Sequence, residues 1–598
     1  MDDLKCPRWR FHLVFAALAA ALLALAGRVA HLQLARGDEL IELARRQQLR
    51  KVLLPARPGN IFARTAGGPV LLAASKQVPS CYADPALLSD DEIPTVAARV
   101  AVALRVPPGG VLETIARRRN TRFAYIARAI TPAQAEAVRK LKLRAVKVTH
   151  EWRRHYPNGE TAAHVLGFRQ IDGAAAGGVE QRADAWLKPS DGHKVLRADA
   201  ARRGRYAKCV EYHAPRDGKT VVLTLDLMIQ HFLERALAEA VEEFGDHDVA
   251  DPARATAAMG VVMNPTTGEV LALASIPTYD PNLYQTTSSR QRRNRAITDP
   301  YEPGSAFKPV IASGAVQMGK ATLDTEFFCH HGTYHAHRGG TIRDFPGESF
   351  GSLPLFEILI HSSNIGMARL GERLGNDSLW RIGWAYGFGR RTGVDLPGEC
   401  PGQLVPAGRW TSYATRRMPF GQGPITVTAL QLATAFSAIA NGGVLLRPRV
   451  IDRVLDTDGR VLRRGERKVV RRVLSQRVAG ECIRRALVGV VRQGTGKRCQ
   501  LDRWQAFGKT GTAQIGGPGG YEERAYTATF VGGAPALKPA LVCVVSVYRP
   551  DYAKGHTGGK VAAPAVRKVL AKALPYLKVP SDDYEAVAAR LAGRGPQH

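Results

Sequence analysis

Ser305 and Lys308 stand three residues apart in Tyr301-Glu302-Pro303-Gly304-Ser305-Ala306-Phe307-Lys308-Pro309. On the first turn of a helix this spacing puts both side chains on one face. The amine then reaches the hydroxyl, and a nucleophile sits beside its base. Pro303 and Gly304 suit a turn that opens into a helix. A serine at a helix start also holds its own backbone N–H at the positive end of the dipole, where an oxyanion is stabilised.

A lone Ser-x-x-Lys arises by chance roughly once in a chain of this size. Here two further groups follow in order. Ser362-Ser363-Asn364 lies within His361–Gly366, and Lys509-Thr510-Gly511-Thr512 within Phe507–Ala513. Together they resemble the S-x-x-K, S-D-N-like and K-T-G set of penicillin-binding proteins and β-lactamases. Each residue also has a plainer reading. Ser362 could cap a helix N-terminus, Asn364 could be a turn or helix residue, and Thr510 and Thr512 suit any strand. Glu302 reads as a solvated loop charge. His331, His335 and His337 follow Cys329-His330 without a carboxylate or a helical ligand pair, so neither metal nor cofactor is expected.

The elements around these residues are legible. Thr220–Asp226 reads as a strand, with Asp226 as N-cap of a helix through Ile229, Phe232, Leu233, Ala236, Leu237 and Val241. Met259–Met263 and Val270–Ala274 flank Asn264–Glu269 as a hairpin. Helical stretches surround Ser305 and Ser362, and another covers Thr428–Asn441 before Gly442-Gly443. Strands are expected at Phe507–Ile515, Tyr526–Val531 and Leu541–Tyr548, then a helix at Ala562–Leu574. This order implies an α+β domain with an antiparallel sheet flanked by helices. Residues 35–215 are mixed, basic and broken by Gly and Pro, and read as an irregular N-terminal domain.

The 598 residues suggest two to four domains, and 45% hydrophobic with 23% charged residues is a globular composition. The net charge of +31 comes from short scattered clusters such as Arg117–Arg119 and Arg202-Arg203-Gly204-Arg205. No nucleic-acid motif accompanies them, so anionic lipid headgroups or a phosphate-bearing lipid-linked substrate fit better than nucleic acid. Lys5, Arg8 and Arg10 precede the apolar run Leu13–Gly27, which continues past Arg28. The reading is a cytoplasmic tail at 1–12 and a transmembrane signal anchor at 13–34, with Arg28 snorkelling outward. The rival is a cleaved signal peptide ending at Ala24-Leu25-Ala26. Of eight dispersed cysteines, Cys6 would lie inside, Cys543 reads as a small buried residue, and the rest could form disulfides in an exported protein.

Over nearly its whole length the chain resembles a class B penicillin-binding protein, most of all the division-type family of FtsI (penicillin-binding protein 3). The resemblance rests on Met263–Ser275, Tyr279–Asn282, Asn294–Ala296, Tyr301–Pro309, Gly387–Gly389, Thr392–Glu399, Gly421–Gly423 and Ala440–Gly443. In the first half it rests on Gly177–Glu180 and on Arg57–Arg64. That last box departs from the family's R-G-x-I-x-D-R: Pro58 is extra or displaced, and Ala63 stands where aspartate is usual. The resemblance implies a pedestal over 35–215, a transpeptidase domain over 216–578 and a flexible tail over 579–598. It implies that Ser305 attacks the penultimate D-Ala carbonyl of a stem peptide while Lys308 takes its proton, with Lys509 as a neighbouring cation lowering the Lys308 pKa. Ser362 would relay the proton, Asn364 would orient Lys308 and the substrate, and Thr510, Gly511 and Thr512 would line the substrate carboxylate. Implied partners are peptidoglycan stem peptides and their lipid-linked precursor, β-lactams, a SEDS-type glycan polymerase and divisome proteins of the inner membrane. Competing readings are an elongation-type transpeptidase, a serine β-lactamase or DD-carboxypeptidase, a penicillin sensor, and a non-catalytic division scaffold.

Overall fold

The computed structural model describes residues 7–582 except 198–206, 247, 248, 250, 252, 253, 338, 339 and 518. At 44–51, 197, 207, 208, 483 and 484 it describes the backbone. Lys5, Cys6, the basic cluster at 202–205 and the tail beyond 582 lie outside the described residues. The chain forms two compact units: Met1–Arg57 with Pro189–Asp217, and Pro58–Lys188 with Gly218–His598.

The first unit opens with the helix Arg8–Ala35, whose apolar window has a mean hydropathy of 2.2 and is exposed throughout. Arg28 does not interrupt it. At ~1.5 Å per residue the helix is long enough to cross a bilayer core. The chain leaves helical geometry at Arg36, and a second, amphipathic helix follows over Gly37–Gln48. Leu49–Leu54, Gly192–Arg197 and Ala207–His213 then build a three-stranded antiparallel sheet.

The second unit holds a five-stranded antiparallel sheet of β1 (Ala257–Met263), β2 (Val270–Ile276), β3 (Phe507–Gly517), β4 (Gly520–Ala534) and β5 (Leu541–Tyr548), in the order β2-β1-β5-β4-β3. β1, β2 and β5 read as continuous apolar runs because both faces are covered. Val262, Ala272 and Val545 face a cluster with Leu233, Leu237, Val566 and Leu570. Val261, Leu273 and Val544 face the opposite cluster with Ile311, Phe436 and Ile439. Helix Leu227–Phe244 packs on the first side, and the Asp226 carboxylate caps it by accepting from the Met228 and Ile229 N–H groups. Helix Ala429–Ala440 starts in a capping box between Thr428 and Gln431 and is buried along its whole length. The C-terminal helix Gly558–Tyr576 begins four residues before the expected Ala562.

A seven-stranded sheet ties the first half to the second. Thr220–Asp226 pairs in parallel with Ile61–Thr65 and antiparallel with Ile451–Leu455. The 16-residue strand Gly68–Ala83 continues that sheet and pairs along Val146–His155. Residues expected in the pedestal therefore share hydrogen bonds with residues expected in the catalytic domain. Ala63, in place of the usual aspartate, is fully buried, and Arg64 donates to the Thr224 carbonyl at 2.7 Å and pairs with Glu269 at 3.3 Å. Deeper in, Glu180 is held by Arg154 at 2.5 Å and Arg169 at 2.8 Å. The seven described cysteines are all free thiols, so the disulfides considered from the sequence are not formed among them; Cys543 is buried in β5.

Candidate active site

Ser305 lies in a single tight 3-10 turn, Gly304–Phe307, and Lys308 begins the α-helix Lys308–Gln317. Gly304 has φ +53°, and a Cβ there would come within 2.9 Å of the Thr512 carbonyl oxygen. The turn can press against β3 only because residue 304 has no side chain.

The Lys308 side chain is fully buried. Its Nζ donates to the Ser362 carbonyl at 2.5 Å, to Ser362 Oγ at 3.1 Å and to Asn364 Oδ1 at 2.9 Å. None of its hydrogen bonds goes to Ser305, so the direct reach expected from the spacing is replaced by a cradle built from the second motif. Lys509, also fully buried, donates to Ser362 Oγ at 2.8 Å from the opposite side. One hydroxyl thus bridges two lysines.

Ser362 reaches that position from a left-handed backbone (φ 64°, ψ 36°) at the C-terminus of helix Leu355–His361. A non-glycine residue there is strained, and such strain persists where surrounding contacts hold it. The N-cap role open to Ser362 falls instead on Ser363, whose hydroxyl accepts from the Gly366 N–H at 3.0 Å. Asn364 starts helix Asn364–Ala385 and also donates to the Arg343 carbonyl at 3.0 Å.

Asp344 organises this junction and carried no signal in the sequence. Its buried carboxylate accepts from Ser363 Oγ at 2.9 Å and from the backbone N–H groups of Asn364 at 2.6 Å and Ile365 at 3.1 Å. A negative group at a helix N-terminus is well placed. It is also a charge that acts on Lys308. Burial drives the Lys308 pKa down to about 7, with Asp344 and Cys329 pulling the other way. Desolvation is the leading cause of the low Lys308 pKa, and Lys308 and Lys509, sharing the Ser362 hydroxyl, repel each other when both are charged. Burial first, and then the Lys308 charge, hold Lys509 well below the ordinary lysine value.

β3 is the edge strand of the catalytic sheet and carries the third motif. Lys509 also donates to the Thr510 carbonyl and hydroxyl, each at 3.3 Å, and Thr510 Oγ1 shares a hydrogen with Thr495 Oγ1 at 2.7 Å. A Cβ on Gly511 would stand 2.8 Å from the Pro303 carbonyl and 3.1 Å from the Ala306 Cβ. Glycine at 511 is what lets the strand touch the Ser305 turn. Thr512 Oγ1 accepts from the Gly558 N–H at 3.1 Å, which joins the strand to the start of the C-terminal helix.

Glu302 is not the solvated charge expected. It is half-buried, accepts from the Gly423 N–H at 2.9 Å and from the Tyr521 hydroxyl at 3.0 Å, and burial raises its pKa. His335 bonds Thr341 at 3.1 Å, His330 stacks on Tyr334 and His331 meets Phe328 edge-on.

An embedded lysine, a bridging hydroxyl and a serine turn against an edge strand, on a sheet flanked by helices, define a serine acyl-transfer site. Residues 258–571 match the penicillin binding protein transpeptidase domain, and residues 53–223 match the penicillin-binding protein dimerisation domain. The chain belongs to the class B penicillin-binding proteins. It is 32% identical to a probable peptidoglycan D,D-transpeptidase PbpC of Pseudomonas aeruginosa, over 97% of this chain and 98% of that protein. Peptidoglycan D,D-transpeptidase FtsI of Escherichia coli is 31% identical, over 96% of this chain and 93% of that protein. Among solved structures, penicillin-binding protein 3 of Mycobacterium tuberculosis complexed with aztreonam aligns with a TM-score of 0.67 at 27% identity, covering 89% of this chain and 98% of that one.

Proposed function

We propose that this chain is a membrane-anchored, serine-type peptidoglycan D,D-transpeptidase that cross-links stem peptides during septal wall synthesis and is acylated by β-lactams. The observation that carries this reading is the Lys308–Ser362–Lys509 chain of hydrogen bonds beside the Ser305 turn, with Lys308 poised at about 7. A neutral amine has two N–H groups and one lone pair. The Ser362 carbonyl and Asn364 Oδ1 take the two N–H groups. The lone pair is left for a hydroxyl proton.

In the proposed sequence Ser305 Oγ attacks the penultimate D-Ala carbonyl carbon and its proton passes to Lys308. The backbone N–H groups of Ser305 and Thr512 hold the oxyanion. The tetrahedral intermediate expels the terminal D-alanine, whose nitrogen takes the proton through Ser362. Thr510, Gly511 and Thr512, with Lys509 close by, line the place of the substrate carboxylate. An amine from a neighbouring stem peptide then displaces Ser305 and closes the cross-link. The pedestal would meet a SEDS-type glycan polymerase and bitopic division proteins, and the helix Arg8–Ala35 would hold the chain in the inner membrane with its catalytic part outside.

Labelling with a fluorescent penicillin tests the site. Wild type should retain the label through denaturation, and Ser305→Ala should not; equal labelling of the two refutes the assignment. Rapid penicillin turnover by wild type would instead favour a hydrolase. Depletion in growing cells should give filaments, whereas rounding would point to elongation.

A further inference from the structure

Far along the chain from the catalytic motifs, in the smaller unit, two histidines and a glutamate meet on one sheet face. His193 on strand Gly192–Arg197 is the register partner of His213 on strand Ala207–His213. Glu211 lies two residues before His213, and side chains two apart on a strand share a face. Glu211 Oε1 is 2.7 Å from His213 Nε2 and 3.5 Å from His193 Nε2, and the imidazole centroids are 4.4 Å apart. One donor atom from each residue lies within 4.8 Å of the other two.

We propose that His193, Glu211 and His213 form a binding site for a divalent metal of the zinc class, with three protein ligands and an open fourth position. Metal–nitrogen and metal–oxygen bonds of ~2.0–2.1 Å in a tetrahedron set ligand atoms ~3.3 Å apart. The His193–Glu211 separation of 3.5 Å is already near that edge, and the His213–Glu211 pair opens by a fraction of an ångström. Three donors on two hydrogen-bonded strands are held by the backbone register, so little ordering is needed on binding. Two imidazoles and one carboxylate favour zinc, nickel or copper over magnesium or calcium, which prefer all-oxygen shells. Cys209 on the same strand donates to the Glu211 carbonyl at 3.3 Å and stays outside the donor set. The side chains are exposed by 22% at His193, 51% at Glu211 and 60% at His213, which leaves the fourth vertex to water. A bound ion would clamp the two strands together.

The test uses the full-length chain without an affinity tag, in detergent, titrated with zinc and separately with cobalt(II). Wild type should bind one zinc at micromolar concentration or tighter, and cobalt should give the intense visible bands of four-coordination. His213→Ala and Glu211→Gln should each weaken zinc binding about tenfold or more. Zinc should slow amide exchange across residues 193–197 in wild type and in neither variant, while penicillin acylation stays unchanged in all three. Unaltered zinc affinity in both variants, or no binding by wild type below millimolar zinc, overturns the proposal. The exchange readout separates lost ligation from a misfolded strand pair, since a folded variant keeps its zinc-free protection.

Discussion

Lys308 must be uncharged to accept a proton, and its burial brings the pKa down to about 7. Above that value the amine is free base; below it the charged form dominates and, on the proposed mechanism, acylation is lost. The rate of β-lactam acylation should therefore rise with pH, be half-maximal near about 7, and fall about tenfold per unit on the acid side. Lys308→Arg, charged at every accessible pH, should abolish it. Asp344 gives a second check with a definite sign. Its carboxylate raises the Lys308 pKa, so Asp344→Asn should move the midpoint of the profile to lower pH. A variant that only loosened the helix would lower the rate without moving the midpoint. Stopped-flow acylation from pH 5 to 9 reads both outcomes.

Elements meet at this site through glycines. A Cβ on Gly511 would lie 2.8 Å from the Pro303 carbonyl, so Gly511→Ala should push β3 away from the nucleophile turn. The expected cost is about 1–3 kcal/mol of stability with a larger proportional loss of acylation rate. Gly421 repeats the case from the other side: its φ is +76° and a Cβ would stand 2.2 Å from the Gly304 carbonyl oxygen. Gly516, further along the same strand, has nothing within 4 Å, and Gly516→Ala should leave acylation and melting temperature unchanged. Thermal melts beside acylation kinetics separate the two variants. Glu302 belongs to this scale as well, because it ties the serine turn to the Gly421–Gly423 loop and to Tyr521 at the start of β4.

Across the larger unit, stability and chemistry rest on different residues. Glu180 is fully buried between Arg154 and Arg169 and also accepts from the Tyr156 hydroxyl at 3.2 Å. Removing one partner of a buried ion pair leaves an uncompensated charge and costs about 3–5 kcal/mol. Glu180→Ala should lower the melting temperature sharply while the acylation rate of the molecules still folded stays near wild type. A parallel loss of rate would show that this cluster governs the active site as well. Glu269, in the hairpin between β1 and β2, pairs with Arg64 at 3.3 Å and Arg449 at 2.6 Å and so ties the five-stranded sheet to the seven-stranded one, and its partial exposure predicts a smaller effect.

By itself the sequence determined the motifs, their order, the apolar N-terminal helix and most strands and helices of the catalytic sheet. Local signals suffice there: Asp226 and Thr428 cap the helices that follow them, and strands buried on both faces read as apolar runs. It also offered Ser305 and Lys308 as a pair by spacing alone. Tertiary structure decided what that pair is bonded to. Lys308 turns to Ser362 and Asn364, which lie 54 and 56 residues away, and Lys509 arrives at the same hydroxyl from 147 residues away. No local pattern marks Asp344 as the carboxylate at their helix junction, nor says that burial is the leading cause of the low Lys308 pKa. Desolvation and long-range hydrogen bonds depend on what packs around a group, and only the folded chain supplies that.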